Sequence, residues 1–132
     1  MNKSALMLLL IAQPAIACDW TLTRKADPMT DVVRCMVTSP SAKVSFYRHG
    51  TDRPNVLTGS RYYYSGDGLE IRVDSNPAIR MGDNSYDRHK ALDVLLPQLE
   101  TGIRITTRYL DIPDTQVGEA AICNLTELLA SC

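Results

Sequence analysis

Four cysteines, two histidines and a run of tyrosines are the side chains in this sequence best equipped for chemistry. Cys18, Cys35, Cys123 and Cys132 form an even set with no close Cys-x-x-Cys pair of the kind that holds zinc. The expectation is two disulfides, with three possible connectivities, no metal and no cofactor. His49 lies in the loop Arg48-His49-Gly50-Thr51-Asp52, and His89 opens a helical pattern. Neither adjoins a strained Gly-x-Ser-x-Gly turn that would set up a nucleophile. Neither has His-x-x-His or His-Glu-x-x-His spacing for a metal. Ser65-Gly66-Asp67-Gly68 is not followed by a helix and lysine, so it reads as a hairpin turn rather than a phosphate loop. Fifteen acidic residues include no pair that the sequence singles out for glycosidase chemistry. A non-enzymatic protein is expected.

Binding candidates are easier to find. Arg61-Tyr62-Tyr63-Tyr64 is the densest cluster, and on a strand Tyr62 and Tyr64 share one face. Tyrosine and arginine each offer a large contact area and a polar end, which suits protein interfaces. Arg104 and Arg108, with Thr106 between them, form a second candidate surface, and strand pairing would bring Arg72 near. The competing reading of that surface is a solvated sheet face with cross-strand pairs such as arginine to Glu70.

Residues 1–17 bear on compartment. Lys3, the short apolar run Ala5–Ala12 and the small-x-small site Ala15-Ile16-Ala17 read as a bacterial export signal, cleaved just before Cys18. The run is shorter than the roughly 20 residues a membrane-spanning helix needs. Cleavage leaves residues 18–132 as a single exported domain, periplasmic or secreted. It removes Lys3 and no acid, so 13 basic residues face 15 acidic ones, a balance that argues against nucleic acid as a partner. A lipid anchor on Cys18 is the alternative to pairing. It is not favoured, because Ala15 stands where a lipobox prefers leucine and lipidation would strand one of the other thiols.

The elements that must position these groups show in the periodicity. Trp20–Arg24, Val32–Thr38, Val44–Arg48 and Val56–Tyr64 read as strands, the last interrupted at Gly59. Leu69–Asp74 alternates apolar and polar residues cleanly, and Ala78–Met81 adds a short strand. Leu92, Leu95, Leu96 and Leu99 lie on one helical face, giving a helix over about 87–100 with Asp87 as N-cap and Gly102 after its end. Pro97 either ends that helix near Leu96 or kinks it. In Ile103–Leu110, Ile103, Ile105, Thr107 and Tyr109 share one face, and Arg104, Thr106 and Arg108 take the other.

Gln116–Ile122 is read as a strand, followed by a helix over 124–131 with Asn124 and Glu127 as a capping box. Eight helical residues rise about 12 Å, whereas bridged Cα atoms are usually within about 7 Å. Cys123 and Cys132 therefore should not pair with each other. Each should reach Cys18 or Cys35.

Several of these pieces also match a known group in order. Trp20 is followed by the Asp27-Pro28-Met29-Thr30-Asp31 turn, the Ala91–Leu96 helix, Gly102-Ile103-Arg104, and Ile122-Cys123-Asn124-Leu125 running on to Cys132. In this the chain resembles small exported bacterial proteins of the invasion-associated locus B-like and type VI secretion periplasmic accessory type. It departs from them where they often carry Phe-Asp-Leu-x-Gly. The resemblance implies a β-rich accessory or virulence-associated host-interaction protein, not an enzyme, and transfers no functional residues.

The expectation is an α+β domain: a mainly antiparallel, twisted sheet with two helices and two disulfides. Its function would be binding a protein partner. The alternative is an inhibitor or immunity protein that blocks a cell-wall or secreted hydrolase through the loop 49–55.

Overall fold

Alternation of apolar and polar residues in the first half builds four antiparallel strands in chain order. The computed structural model describes residues 16–57, 68–82, 84–110 and 116–132. Strands β1 (Thr21–Ala26), β2 (Val33–Ser39), β3 (Val44–His49) and β4 (Asn55–Leu57) form the first sheet, ordered β1-β2-β3-β4. Strands β5 (Leu69–Val73), β6 (Ile79–Arg80), β7 (Arg104–Tyr109) and β8 (Gln116–Ala121) form the second, ordered β6-β5-β7-β8. All pairings are antiparallel. The α+β class with two helices and two disulfides holds, and its strands divide between two sheets. The segment read as an export signal, apart from residues 16 and 17, lies outside the described residues, as do Gly59, the Arg61–Tyr64 cluster and residues 65–67 of the expected hairpin turn.

Register decides which side chains share a face. Leu22, Val37, Phe46 and Val56 line up across the first sheet and point inward, the last three fully buried. Leu69, Ile71 and Val73 do the same on β5, and Ile105, Thr107 and Tyr109 on β7. Ile103 does not join them. It precedes β7 and is 74% exposed, because the strand begins only at Arg104.

Helix α1 (Ser85–Thr101) packs against β5 and β6, and helix α2 (Leu125–Ala130) against β2 and β3. Ala91, Leu92, Leu95 and Leu99 are the buried face of α1 and join one core cluster with both sheets.

The cap of α1 is Asn84 rather than Asp87. Its side chain accepts from Asp87 N–H at 2.9 Å and its amide donates to Asp87 Oδ2 at 2.7 Å. Pro97 does not end the helix. It sits on the exposed side, and burial of Leu99 just beyond holds the last turn in place. Gly102 follows with φ −79°, so its glycine is not explained by a left-handed cap. The reason is space: a Cβ there would lie 2.3 Å from Val73 Cγ1 and 2.8 Å from the Gln98 carbonyl oxygen.

The two sheets meet at the β2–β3 turn. Thr107 Oγ1 donates to the Ala42 carbonyl, Tyr109 Oη to the Lys43 carbonyl at 2.6 Å, and Glu119 N–H to the Ser41 carbonyl at 2.9 Å. Ser39 and Thr107 are fully buried, and each hydroxyl has a partner, as burial of a polar group requires. Gly118 is where β8 meets this turn: a Cβ there would stand 2.3 Å from the Ala42 carbonyl oxygen and 2.5 Å from its carbon.

Cys18 pairs with Cys123, and Cys35 with Cys132, at Cα separations of 6.1 and 5.9 Å. The helix-length argument against a Cys123–Cys132 bridge is met. Around the second bridge the inner row Arg24–Cys35–Arg48 faces the end of α2. Arg24 Nη2 donates to the Ser131 carbonyl, and Arg48 Nη1 to the Leu129 carbonyl. Helix α2 has no basic residue in its last turn, so the sheet supplies the cations that its terminal carbonyls attract. At the other end of α2 the expected capping box is absent: Asn124 makes no side-chain cap bond. Cys123 is held in the left-handed region at φ 48°, and Asn124 follows with ψ 18°, not the extended conformation an N-cap adopts.

Candidate binding surface

The outer face of the second sheet carries the arginines singled out by sequence. Arg104 and Arg108 alternate with the buried Ile105, Thr107 and Tyr109, so both point to solvent. Glu70 lies directly opposite Arg108, and their side chains meet at 2.5 Å. Arg104 Nε reaches Glu119 Oε1 at 3.1 Å. Each arginine thus has a cross-strand carboxylate, and such exposed pairs contribute about 0.2–1 kcal/mol apiece.

Arg72 differs. It stands opposite Thr106 on the same face, exposed, and makes no side-chain hydrogen bond or ion pair among the described residues. It borders a shallow depression of about 220 Å³ lined also by Glu70, Ala78, Thr106, Arg108 and Val117. Val117 is 54% exposed, an apolar contact point beside an unpaired guanidinium. Arg61, Tyr62 and Tyr64 lie outside the described residues, on the connection between β4 and β5.

The histidines do not converge. His49 ends β3 on the first sheet, whereas His89 is exposed on α1, where its carbonyl accepts from Arg53 Nη2 at 3.3 Å. Among the described residues, no three His, Cys, Asp or Glu side chains are grouped so as to hold a metal ion. No helix there is long and apolar enough to cross a membrane.

One carboxylate that sequence reading passed over is tightly held. Asp19 accepts from the Ser39 and Ser41 hydroxyls and from the Ser41 N–H at 3.0 Å. Burial pushes its carboxyl up, but these hydrogen bonds outweigh that and hold it below the ordinary value. The group anchors the segment before β1 to the β2–β3 turn. Its signal in the sequence was weak, since Ser39 and Ser41 flank a proline and read simply as a turn. Comparison with protein-family models, curated proteins and solved structures gives no match for this chain.

Proposed function

We propose that this chain is an exported, non-enzymatic binding protein, acting in the periplasm or after secretion, that engages a protein partner through the outer face of its second sheet. The observation that carries the reading is Arg72, an exposed guanidinium without an ion pair among the described residues, at the rim of a depression with Val117 and Arg108. Arginine beside exposed apolar surface is the composition of interface centres. Arg104 and Arg108 frame this patch, and Arg61, Tyr62 and Tyr64 extend the proposal to the connection before β5.

The disulfides support an oxidising compartment. Cleavage after Ala17 removes the carbonyl that accepts from Ala121 N–H, and the Cys18–Cys123 bridge then holds the new terminus. A sulfur engaged in that bridge is not free to form the thioether of a lipid anchor. The test is capture of a partner by the wild-type exported protein and by Arg72→Ala/Val117→Asp. The variant is expected to lose the partner with an unchanged melting temperature. Retained capture sinks this surface. Loss on Tyr62→Ala/Tyr64→Ala alone would move the site to the β4–β5 connection.

The inhibitor or immunity reading rests on a different feature. The loop after β3 is pinned from both sides: Arg48 donates to the Thr51 and Asp52 carbonyls, and Arg53 pairs with Asp93 at 2.7 Å. A loop held in one shape loses little entropy on entering a cleft. Inhibition of a co-purified hydrolase that disappears with Thr51→Arg would favour it.

A further inference from the structure

We propose that the outer face of the first sheet is a second binding site, for an acidic polypeptide segment, built on the cross-strand row Lys25–Arg34–His49. Lys25 lies directly opposite Arg34, and Arg34 directly opposite His49, on three neighbouring strands. All three are exposed. Among the described residues none of them forms an ion pair or a side-chain hydrogen bond. A turn carboxylate, Asp27, shares a notch of about 180 Å³ with Lys25 and Arg34, and its Oδ1 accepts from the Met29 N–H at 2.8 Å.

Basic groups directly opposite each other destabilise a sheet. On the second sheet Arg104 and Arg108 are paired with glutamates, whereas this row, like Arg72, has no such partner among the described residues. Lys25 and Arg34, with His49 beside them, thus form a basic strip with no ion pair among the described residues, in a chain of formal net charge −1 counted with histidine neutral. An anionic ligand would supply the missing compensation.

The neighbouring groups favour a polypeptide. The next row on this face is Thr23–Met36–Tyr47–Asn55, with Met36 36% exposed and Tyr47 half-buried. It offers a thioether and a ring for side-chain contact and polar groups for a peptide backbone. Three strands at about 4.8 Å spacing make a strip about 10 Å long. An extended chain sets same-face side chains about 6.8 Å apart, so two carboxylates fit over the row. A membrane surface is less well served: polybasic lipid-binding clusters usually hold about 4–8 cations, more than this row supplies.

The proposal rests on the binding role above but uses the opposite sheet. It is tested by fluorescence anisotropy with fluorescein-labelled decaglutamate and the oxidised exported protein. Saturable binding that weakens with added salt is expected. Lys25→Gln/Arg34→Gln/His49→Gln is expected to bind at least about tenfold more weakly with a melting temperature no lower than that of wild type. Arg72→Gln should bind the peptide as wild type does, which separates this site from the second-sheet face. Equal binding by the triple variant, or no binding at low salt, overturns the proposal. Binding to phosphatidylglycerol vesicles without binding to the peptide also overturns it, in favour of a lipid surface.

Discussion

Replacing Gly118 by alanine should loosen the joint between the two sheets. The added Cβ would lie 2.3 Å from the Ala42 carbonyl oxygen, 2.5 Å from the Ala42 carbonyl carbon and 2.7 Å from Thr107 Oγ1. The first two are backbone atoms of a turn, so no flexible side chain can swing aside. Either β8 or the turn must move. Overpacking of this kind costs about 1–3 kcal/mol. Movement also threatens the bonds from Thr107 to Ala42, from Tyr109 to Lys43 and from Glu119 to Ser41. Losing two of them adds about 2 kcal/mol.

The expected loss is therefore about 3–5 kcal/mol, a large share of the roughly 5–15 kcal/mol that domains possess. Urea denaturation of the oxidised protein measures it, with Val117→Ala as the control one residue away on the exposed face. Thr107→Val separates the causes: it keeps the volume but removes the buried hydroxyl, and should cost about 1–3 kcal/mol. A loss under about 1 kcal/mol for Gly118→Ala would refute the described approach of turn and strand.

Three further outcomes follow from the same geometry. Cys35→Ser/Cys132→Ser should lower stability by about 3.5 kcal/mol in chain-entropy terms. The bridge alone spans 97 residues, but with Cys18–Cys123 closed the shorter path is about 26, being 17 from Cys18 to Cys35 and 9 from Cys123 to Cys132. Pro97→Ala should raise the denaturation midpoint by the equivalent of about 1–3 kcal/mol, because proline inside a helix removes one bond and crowds the carbonyl of Asp93. Asp19 has its folded pKa below the unfolded one, so its contribution is complete above the unfolded value near 3.8 and is lost as pH falls through the folded value. Melting temperature measured between about pH 5 and 2 should fall less steeply in Asp19→Asn than in wild type.

Local chemistry made much of this architecture legible. The leucine spacing of α1 follows directly from 3.6-residue periodicity, and the short helix between Cys123 and Cys132 excluded their pairing on distance alone. The division into two sheets was not legible. It depends on a turn at Ala42 docking against Gly118, far apart in the chain, and no local pattern marks that approach. The first-turn reading at α1 missed by three residues because Asn84 and Asp87 both have capping side chains, and only the structure shows which accepts from which. Arg104 and Arg108 were placed on the right face by alternation, and their pairing with Glu119 and Glu70 needed the register. The Lys25–Arg34–His49 row was invisible for the same reason: its members lie on three strands and become neighbours only when those strands pair.

Export and the two bridges meet in one measurement, disulfide mapping of the unreduced native protein by peptide mass spectrometry. The expected result is a protein beginning at Cys18, with linked peptides joining Cys18 to Cys123 and Cys35 to Cys132. A lipid on Cys18, four free thiols, or a Cys18–Cys35 or Cys123–Cys132 link would contradict it.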